Sequence, residues 1–319
     1  MLRRAKAALR PLAVRLGLRD PLPSPPPARS DPAGIRTPNP VISDSLPPGV
    51  AEAVQRHAER RIALFVLDRK LIERQNTLIA RAVHGFFSGT RTFRGIGVDG
   101  IARHVADFRD IYLASPITMN DGGANFPSGV NLFLMARCLA PGVIVESGVF
   151  KGQSSHFLAA ACPRAKIHAF DPDLSGVVHR TPGVTYYAHD WMEADIRSEA
   201  GARGLCFFDD HINQAMRIVQ AHERGFRHVL VDDSWPIEAP GCGWPPIPSV
   251  DMIMGNPLAP GETVQWIESG KIWTYVHNDE MRELCDRARR LIRAAYEVPS
   301  LYRECGIAPT SAYKFVELN

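Results

Sequence analysis

With 319 residues, of which 45% are hydrophobic and 22% charged, and a formal net charge of +3, the chain has the composition of a globular protein with a sizeable core, which excludes disorder over most of its length. Basic residues beyond the N-terminus are interleaved with Asp and Glu, so no nucleic-acid groove is implied, and no run of about 18 apolar residues marks a membrane-spanning helix. The cysteines (Cys138, Cys162, Cys206, Cys242, Cys285, Cys305) lie far apart, with no C-x-x-C pair and no secretory leader before them, which points to reduced thiols and a cytoplasmic compartment.

Residues 1–49 read as a basic arm followed by a Pro-rich linker. Arg3, Arg4, Lys6, Arg10, Arg15 and Arg19 stand among Ala, Leu and Val with no acid before Asp20. A solvated tail, a contact with an anionic membrane surface and an organelle transit peptide all remain open for such an arm. Pro21 to Pro48 includes Pro25-Pro26-Pro27 and lacks apolar periodicity, as an extended linker does. A helical region is expected over residues 50–124. Ala58, Ile62, Phe65, Ile72, Ile79, Val83 and Phe86 recur at helical spacings, with Gly85 and Gly89 at the fraying end, and Ile101, Val105, Phe108 and Ile111 predict a second helix over Asp99 to Leu113, stopped by Pro116. The apolar face of this layer needs a partner, either the domain that follows or a second copy of the chain in a homo-oligomer.

After Pro127 short apolar strands alternate with helices. Strands are expected at Val143–Val145, Ile167–Phe170, Val184–Ala188, Leu205–Phe208 and His228–Val231, helices at Ser154–Ala161, Asn213–Glu223 and Asp279–Ala295, and a last strand at Tyr313–Leu318. Strict alternation of this kind predicts an α/β fold with a doubly wound, mostly parallel sheet over residues 125–319.

The segment Val143-Ile-Val-Glu-Ser-Gly-Val-Phe-Lys-Gly-Gln-Ser-Ser155 carries most chemical information. A buried strand ends in Glu146 and turns through Gly148 and Gly152 into a helix starting near Ser154, where unpaired N–H groups face a ligand. A dinucleotide fingerprint needs G-x-G-x-x-G, and only two glycines stand here, so an NAD or nucleotide-sugar enzyme is the weaker reading. An acid at that corner suits a cofactor with a cationic amino-acid end and no pyrophosphate. Two further strands end in acids, at Asp171 and at Asp190-Trp191; each acid taken singly is equally a helix cap or turn residue.

Glu146-Ser-Gly148-Val-Phe-Lys-Gly152 resembles motif I of class I S-adenosylmethionine-dependent methyltransferases, in the variant of macrocin O-methyltransferase-like and cephalosporin hydroxylase-like proteins. The resemblance covers roughly the C-terminal 190 residues and implies a Rossmann-like methyltransferase fold that binds S-adenosylmethionine. It implies that Glu146, Gly148, Gly152 and Ser154 form the cofactor loop, that Asp171 accepts from both ribose hydroxyls, and that Asp190 and Trp191 meet the adenine. A non-catalytic cofactor-binding protein of the same fold stays open beside the transferase.

The fourth and fifth strands run into Phe208-Asp209-Asp210-His211 and Val231-Asp232-Asp233-Ser234. Converging carboxylates repel unless a cation or protons intervene, and oxygen-only ligands suit Mg²⁺. The resemblance implies an ion held by one Asp of the first pair, taken as Asp210, with Asp232 and Asp233; caps and ordinary loop contacts are an equally weighted explanation of such pairs. The ion would lower the pKa of an acceptor hydroxyl, and His211 or Asp209 would take its proton. A small-molecule or glycan acceptor, with a sugar or natural-product hydroxyl, is the expected substrate. The Pro- and Gly-rich stretch from Trp235 to Pro260, with Trp235 and Trp244, reads as a pocket-shaping loop or as plain packing, and Asn120–Phe126 as a turn over the cofactor or a helix-start loop.

Overall fold

The computed structural model describes residues 69–319 except 119, 121, 199–202, 239–244, 256–257 and 269–270. The expected basic arm, the linker, Ala58, Ile62, Phe65, Asp121 and Trp244 therefore lie outside the described residues.

Two helices, α1 (Arg69–Gly89) and α2 (Val98–Ala114), form the first layer. Ile79, Val83 and Phe87 of α1, with Ile101, Val105, Phe108 and Tyr112 of α2, recur every three or four residues and are buried, so each helix turns one apolar stripe inward. Phe87 takes the core position expected of Phe86: its ring stacks on Phe93 at 4.3 Å, and Phe93 meets Phe315 of the last strand at 5.0 Å. The stripe thus finds a partner within the chain. The third helix, α3 (Phe126–Leu139), is buried nearly throughout and begins at Asn125, whose side chain accepts from the Ser128 N–H.

The main sheet contains β1 (Val143–Ser147), β2 (Lys166–Phe170), β3 (Val184–Tyr187), β4 (Gly204–Phe208), β5 (His228–Val231), β8 (Ile292–Glu297) and β9 (Lys314–Leu318), in the order β3-β2-β1-β4-β5-β9-β8. The first five are parallel, β9 runs antiparallel to β5, and β8 antiparallel to β9. This is the doubly wound, mostly parallel sheet expected from the alternation of strands and helices. Strand residues alternate between two cores, as a period of two requires. Ile144, Ile167, Leu205 and Phe207 pack with α1, α2, α3 and α4 (Gln153–Ala161), whereas Val145, Cys206, Phe208 and Val229 pack with α5 (Gln214–Glu223), α6 (Val250–Met254) and α7 (Asp279–Leu291).

Several elements differ from expectation. The helix predicted to Ala295 ends at Leu291, and Ile292–Glu297 pairs with β9 as a strand. The stretch expected to be irregular contains α6, and β6 (Thr263–Glu268) with β7 (Lys271–Val276) forms a separate antiparallel hairpin. A short helix, α8 (Tyr302–Cys305), precedes β9. Among the described residues no helix is long and apolar enough to cross a membrane, and the described cysteines are unpaired.

Candidate active site at the carboxyl edge of the sheet

A cleft of about 380 Å³ opens at the carboxyl ends of β1, β2 and β4, lined by Gly148, Phe150, Ser154, Asp171, Asp209, Asp210 and His211, with Asn120, Gly122 and Gly123 on its outer side. Parallel sheets bind ligands at this edge, where strand order reverses beside β1. Glu146 lies beneath the cleft and is fully buried on the α4 face, because it shares the side of β1 taken by Ile144. Ser155 Oγ donates to its Oε2 at 2.5 Å, while Oε1 is buried with no partner of good geometry. Burial raises the Glu146 pKa to about 7 against the opposing pull of Ser154 and Ser155.

Both motif glycines are required by the protein's own backbone. At Gly148, φ is +95° and a Cβ would stand 2.2 Å from the Asp209 carbonyl oxygen; at Gly152, φ is +90° and it would stand 2.5 Å from the His179 carbonyl oxygen. The β1 turn is therefore pressed against the β4 loop, which brings Asp209 and Asp210 to the cleft. Phe150, His211 and Asp233 also take left-handed φ values of 49°, 54° and 52°, so non-glycine backbone is held in an unfavourable region along this same edge.

Asp171 accepts three backbone N–H groups: Val149 at 3.0 Å and Phe150 at 3.3 Å on Oδ2, and Asp173 at 2.9 Å on Oδ1. A carboxylate has about four acceptor sites, so this leaves room for one ribose hydroxyl rather than the two expected. Asp190 is also engaged. It caps the 3-10 turn Trp191–Glu193, and Arg217 of α5 donates to it at 3.2 Å and 2.6 Å. The same guanidinium donates to Asp210 Oδ2 at 2.9 Å and is only 1% exposed. Burial works against the charge of Asp190, but Arg217 and the Met192 N–H outweigh it and hold its pKa low, whereas at Asp210 burial prevails over Arg217 and the pKa rises. Trp191 does not reach the cleft. It is fully buried between Phe208 at 5.6 Å and Phe226 at 6.3 Å, so the expected stacking on adenine is replaced by core packing.

Asp209 and Asp232 are close enough for a side-chain hydrogen bond between their carboxyls. Burial, then the charges of Asp232, Asp233 and Asp210, raise Asp209 far above the carboxylate range, and burial followed by Asp233 raises Asp232 to about 8. Asp233 joins two neighbours: Oδ2 lies 3.6 Å from His211 Nδ1, and Oδ1 accepts from the Trp235 indole N–H at 3.4 Å. Among the described residues no three His, Cys, Asp or Glu side chains are gathered as an ion requires. Of the expected ion set Asp210, Asp232 and Asp233, Asp210 is the member already paired with a protein cation, Arg217 at 2.8 Å.

Of the sequence-predicted residues, the cleft gathers Gly148, Ser154, Asp171, Asp209, Asp210 and His211 above Glu146; Gly152, Asp190, Trp191, Asp232 and Asp233 are not among its walls. Arg217, Phe150 and Tyr313 were missed. A single Arg between Met216 and Ile218 gives one usable signal, namely its place on the buried stripe of Ala215, Ile218 and Val219.

No family model and no curated protein sequence matches the chain. Solved structures with similar folds include the SAH-bound methyltransferase PaMTH1 of Podospora anserina, at 13% identity over 81% of this chain and 99% of that one, with TM-score 0.38. Others are the O-methyltransferase TomG of Streptomyces achromogenes in complex with SAM (14% identity, 75% and 98% covered, TM-score 0.39) and an O-methyltransferase of Bacillus cereus in complex with SAH (10% identity, 75% and 99% covered, TM-score 0.38). Likenesses this distant transfer no residue roles, and the fold rests on the chain's own strand order.

Proposed function

We propose that the chain is an S-adenosylmethionine-dependent methyltransferase acting on a hydroxyl of a small molecule. The observation that carries this reading is the buried Oε1 of Glu146, which has no partner of good geometry although Ser154 adjoins the carboxyl, at a glycine turn and a helix start at the reversal point of the sheet. A buried acceptor without a donor is costly, and a ligand ammonium, directly or through a water, would satisfy it. Asp171 then accepts one ribose hydroxyl on Oδ1, and the half-exposed Phe150 ring offers the purine the apolar face that Trp191 does not. Bound S-adenosylmethionine supplies a methyl group on a positively charged sulfur.

His211 lines the cleft with its Nδ1 3.6 Å from Asp233 Oδ2, so it suits the role of proton acceptor. Asp209 suits it less, because burial and the neighbouring carboxylates favour its protonated form. As they stand, Asp209, Asp232 and Asp233 are not gathered closely enough to hold a divalent cation; an ion there would have to draw them together and displace the proton that the Asp209–Asp232 contact implies. A dinucleotide enzyme is disfavoured because both glycines are filled by protein backbone and do not open onto a pyrophosphate.

Calorimetric titration with S-adenosylhomocysteine, NAD and UDP-glucose tests the reading. Binding of S-adenosylhomocysteine, lost in Glu146→Ala, is expected; stabilisation by NAD or UDP-glucose without it would reject the assignment. Binding of the cofactor with no methyl release to any acceptor pool would leave the non-catalytic alternative.

A further inference from the structure

A second cavity of about 480 Å³ lies on the same carboxyl edge, beside β5, β8 and β9. Trp235, Pro236, Val298, Pro299, Pro309 and Tyr313 give it mainly apolar walls. Asp233 links a residue of each lining: its Oδ2 lies 3.6 Å from His211 of the cofactor cleft, and its Oδ1 accepts from the Trp235 indole N–H of the cavity at 3.4 Å.

Most polar groups of this cavity are already engaged. Lys314 Nζ is 2.9 Å from Asp251 and 3.5 Å from Glu297, Ser234 Oγ donates to Asp251 at 2.9 Å, and Asn131 donates to the Pro299 carbonyl at 2.8 Å. Lys314 is thus paired inside the cavity with Asp251, and the one negative charge left over is that of Glu297, whose side chain is 83% exposed to solvent, so no buried charge calls for a charged ligand. Two polar atoms stand apart: Ser128 Oγ and Tyr313 Oη are buried without a partner of good geometry, although Ser311 adjoins the latter. Both residues line the cavity and are at least nine-tenths buried. Burial and the neighbouring Asp232 and Asp209 hold the Tyr313 phenol protonated, so it remains a hydrogen-bond donor.

We propose that this cavity is the acceptor pocket and that it takes a neutral, mainly apolar ring bearing a few hydroxyl or carbonyl groups, in preference to a sugar. The proposal rests on the transferase reading above. A sugar carries a hydroxyl on nearly every carbon and would bury most of them unpaired against proline and valine, which disfavours its binding. An aromatic or polyketide ring buries its faces on Trp235 and the prolines and satisfies Ser128 and Tyr313 with two polar substituents. A hydroxyl reaching Asp233 is then beside His211 of the cofactor cleft. In the transfer its oxygen forms the new bond to the methyl carbon, the carbon–sulfur bond breaks with its electron pair remaining on sulfur, and the hydroxyl proton passes to the His211 imidazole.

The probes are 2-naphthol and glucose, titrated into the full chain saturated with S-adenosylhomocysteine, with Ala312→Phe (which fills the cavity) and Tyr313→Phe as variants. The expected result is 2-naphthol binding weakened about tenfold or more by Ala312→Phe and several-fold by Tyr313→Phe, with no glucose binding. Unchanged S-adenosylhomocysteine affinity in both variants shows that they fold. Naphthol affinity that is absent in the native chain, or equal in all three proteins, overturns the pocket, and glucose binding overturns the ring class. If S-adenosylhomocysteine fails to bind the native chain while naphthol still depends on Ala312, the transferase reading falls and takes the acceptor role with it.

Discussion

Asp190 and Asp210 lie on either side of the Arg217 guanidinium, whereas Asp209 and Asp232, on the same edge, face each other with Asp233 adding further negative charge. The first pair is compensated by the fold itself and leaves little for a ligand to do. Among the described residues no cation pairs with the second, whose raised pKa values favour protons that a ligand or an ion can exchange. Acidic residues at strand ends are therefore not equivalent, and the position of one arginine separates the structural acids from those open to chemistry.

The strongest way to break this contrast is to remove the arginine. Arg217→Met leaves two carboxylates without their buried cation, and a loss of about 3–5 kcal/mol is expected in urea unfolding at neutral pH. A loss under about 1 kcal/mol would mean that solvent, not Arg217, compensates Asp190 and Asp210.

Glu146 sharpens the contrast from the opposite direction, since no cation faces it. Its folded pKa of about 7 stands above its ordinary value of 4.5, so between these values the folded chain holds a proton that the unfolded chain has lost. The Glu146 contribution to stability should then fall as pH rises from about 4.5 to about 7 and level off above, by roughly 3 kcal/mol, on top of the slope that the raised Asp209 and Asp232 add. Glu146→Gln should abolish the Glu146 part of the slope, match the native chain near pH 4 and exceed it near pH 8, while losing cofactor affinity. Denaturation midpoints across the pH range measure this, and parallel profiles for the two proteins would place the charge of Glu146 in a solvated site.

The third effect is smaller. If an ion is admitted, it belongs to the uncompensated acids, so Mg²⁺ at about ten times its Kd should stabilise the native chain by about 1.4 kcal/mol. Asp232→Asn and Asp233→Asn should lose that increment in a thermal melt, and its persistence in both would exclude these acids as ligands.

How far these features are legible in sequence depends on which contacts decide them. The strands β1, β2, β4 and β5 are apolar runs ending in acids, and burial on both faces makes them visible without tertiary information. The edge strand β8 is Ile-Arg-Ala-Ala-Tyr-Glu, which continues the helical composition of α7; only pairing with β9 makes it a strand. The glycine turn was legible as a turn, but its tenants, the Asp209 and His179 carbonyls, come from distant segments. The choice between Asp209 and Asp210 was illegible for the same reason, because Arg217 decides it through a side chain on α5.

Trp191 gives the smallest expected effect on binding and the cleanest separation of packing from recognition. It follows an acid at a strand end, where a ring for adenine was expected, yet its indole is fully buried on the α5 side with the Arg224 guanidinium 4.9 Å from the ring centre. Trp191→Phe trades a large buried ring for a smaller one and should lower stability by about 1–2 kcal/mol through lost packing. Affinity for S-adenosylhomocysteine should stay within about twofold, since the substituted ring touches core rather than ligand. Phe150→Ala should do the reverse: its ring is 50% exposed at the cleft, so affinity should fall while the melting point barely moves. Should Trp191→Phe weaken binding more than Phe150→Ala, the adenine would have to lie on the Asp190 side, and Arg217 would then be holding a ligand residue in place rather than closing a structural pair.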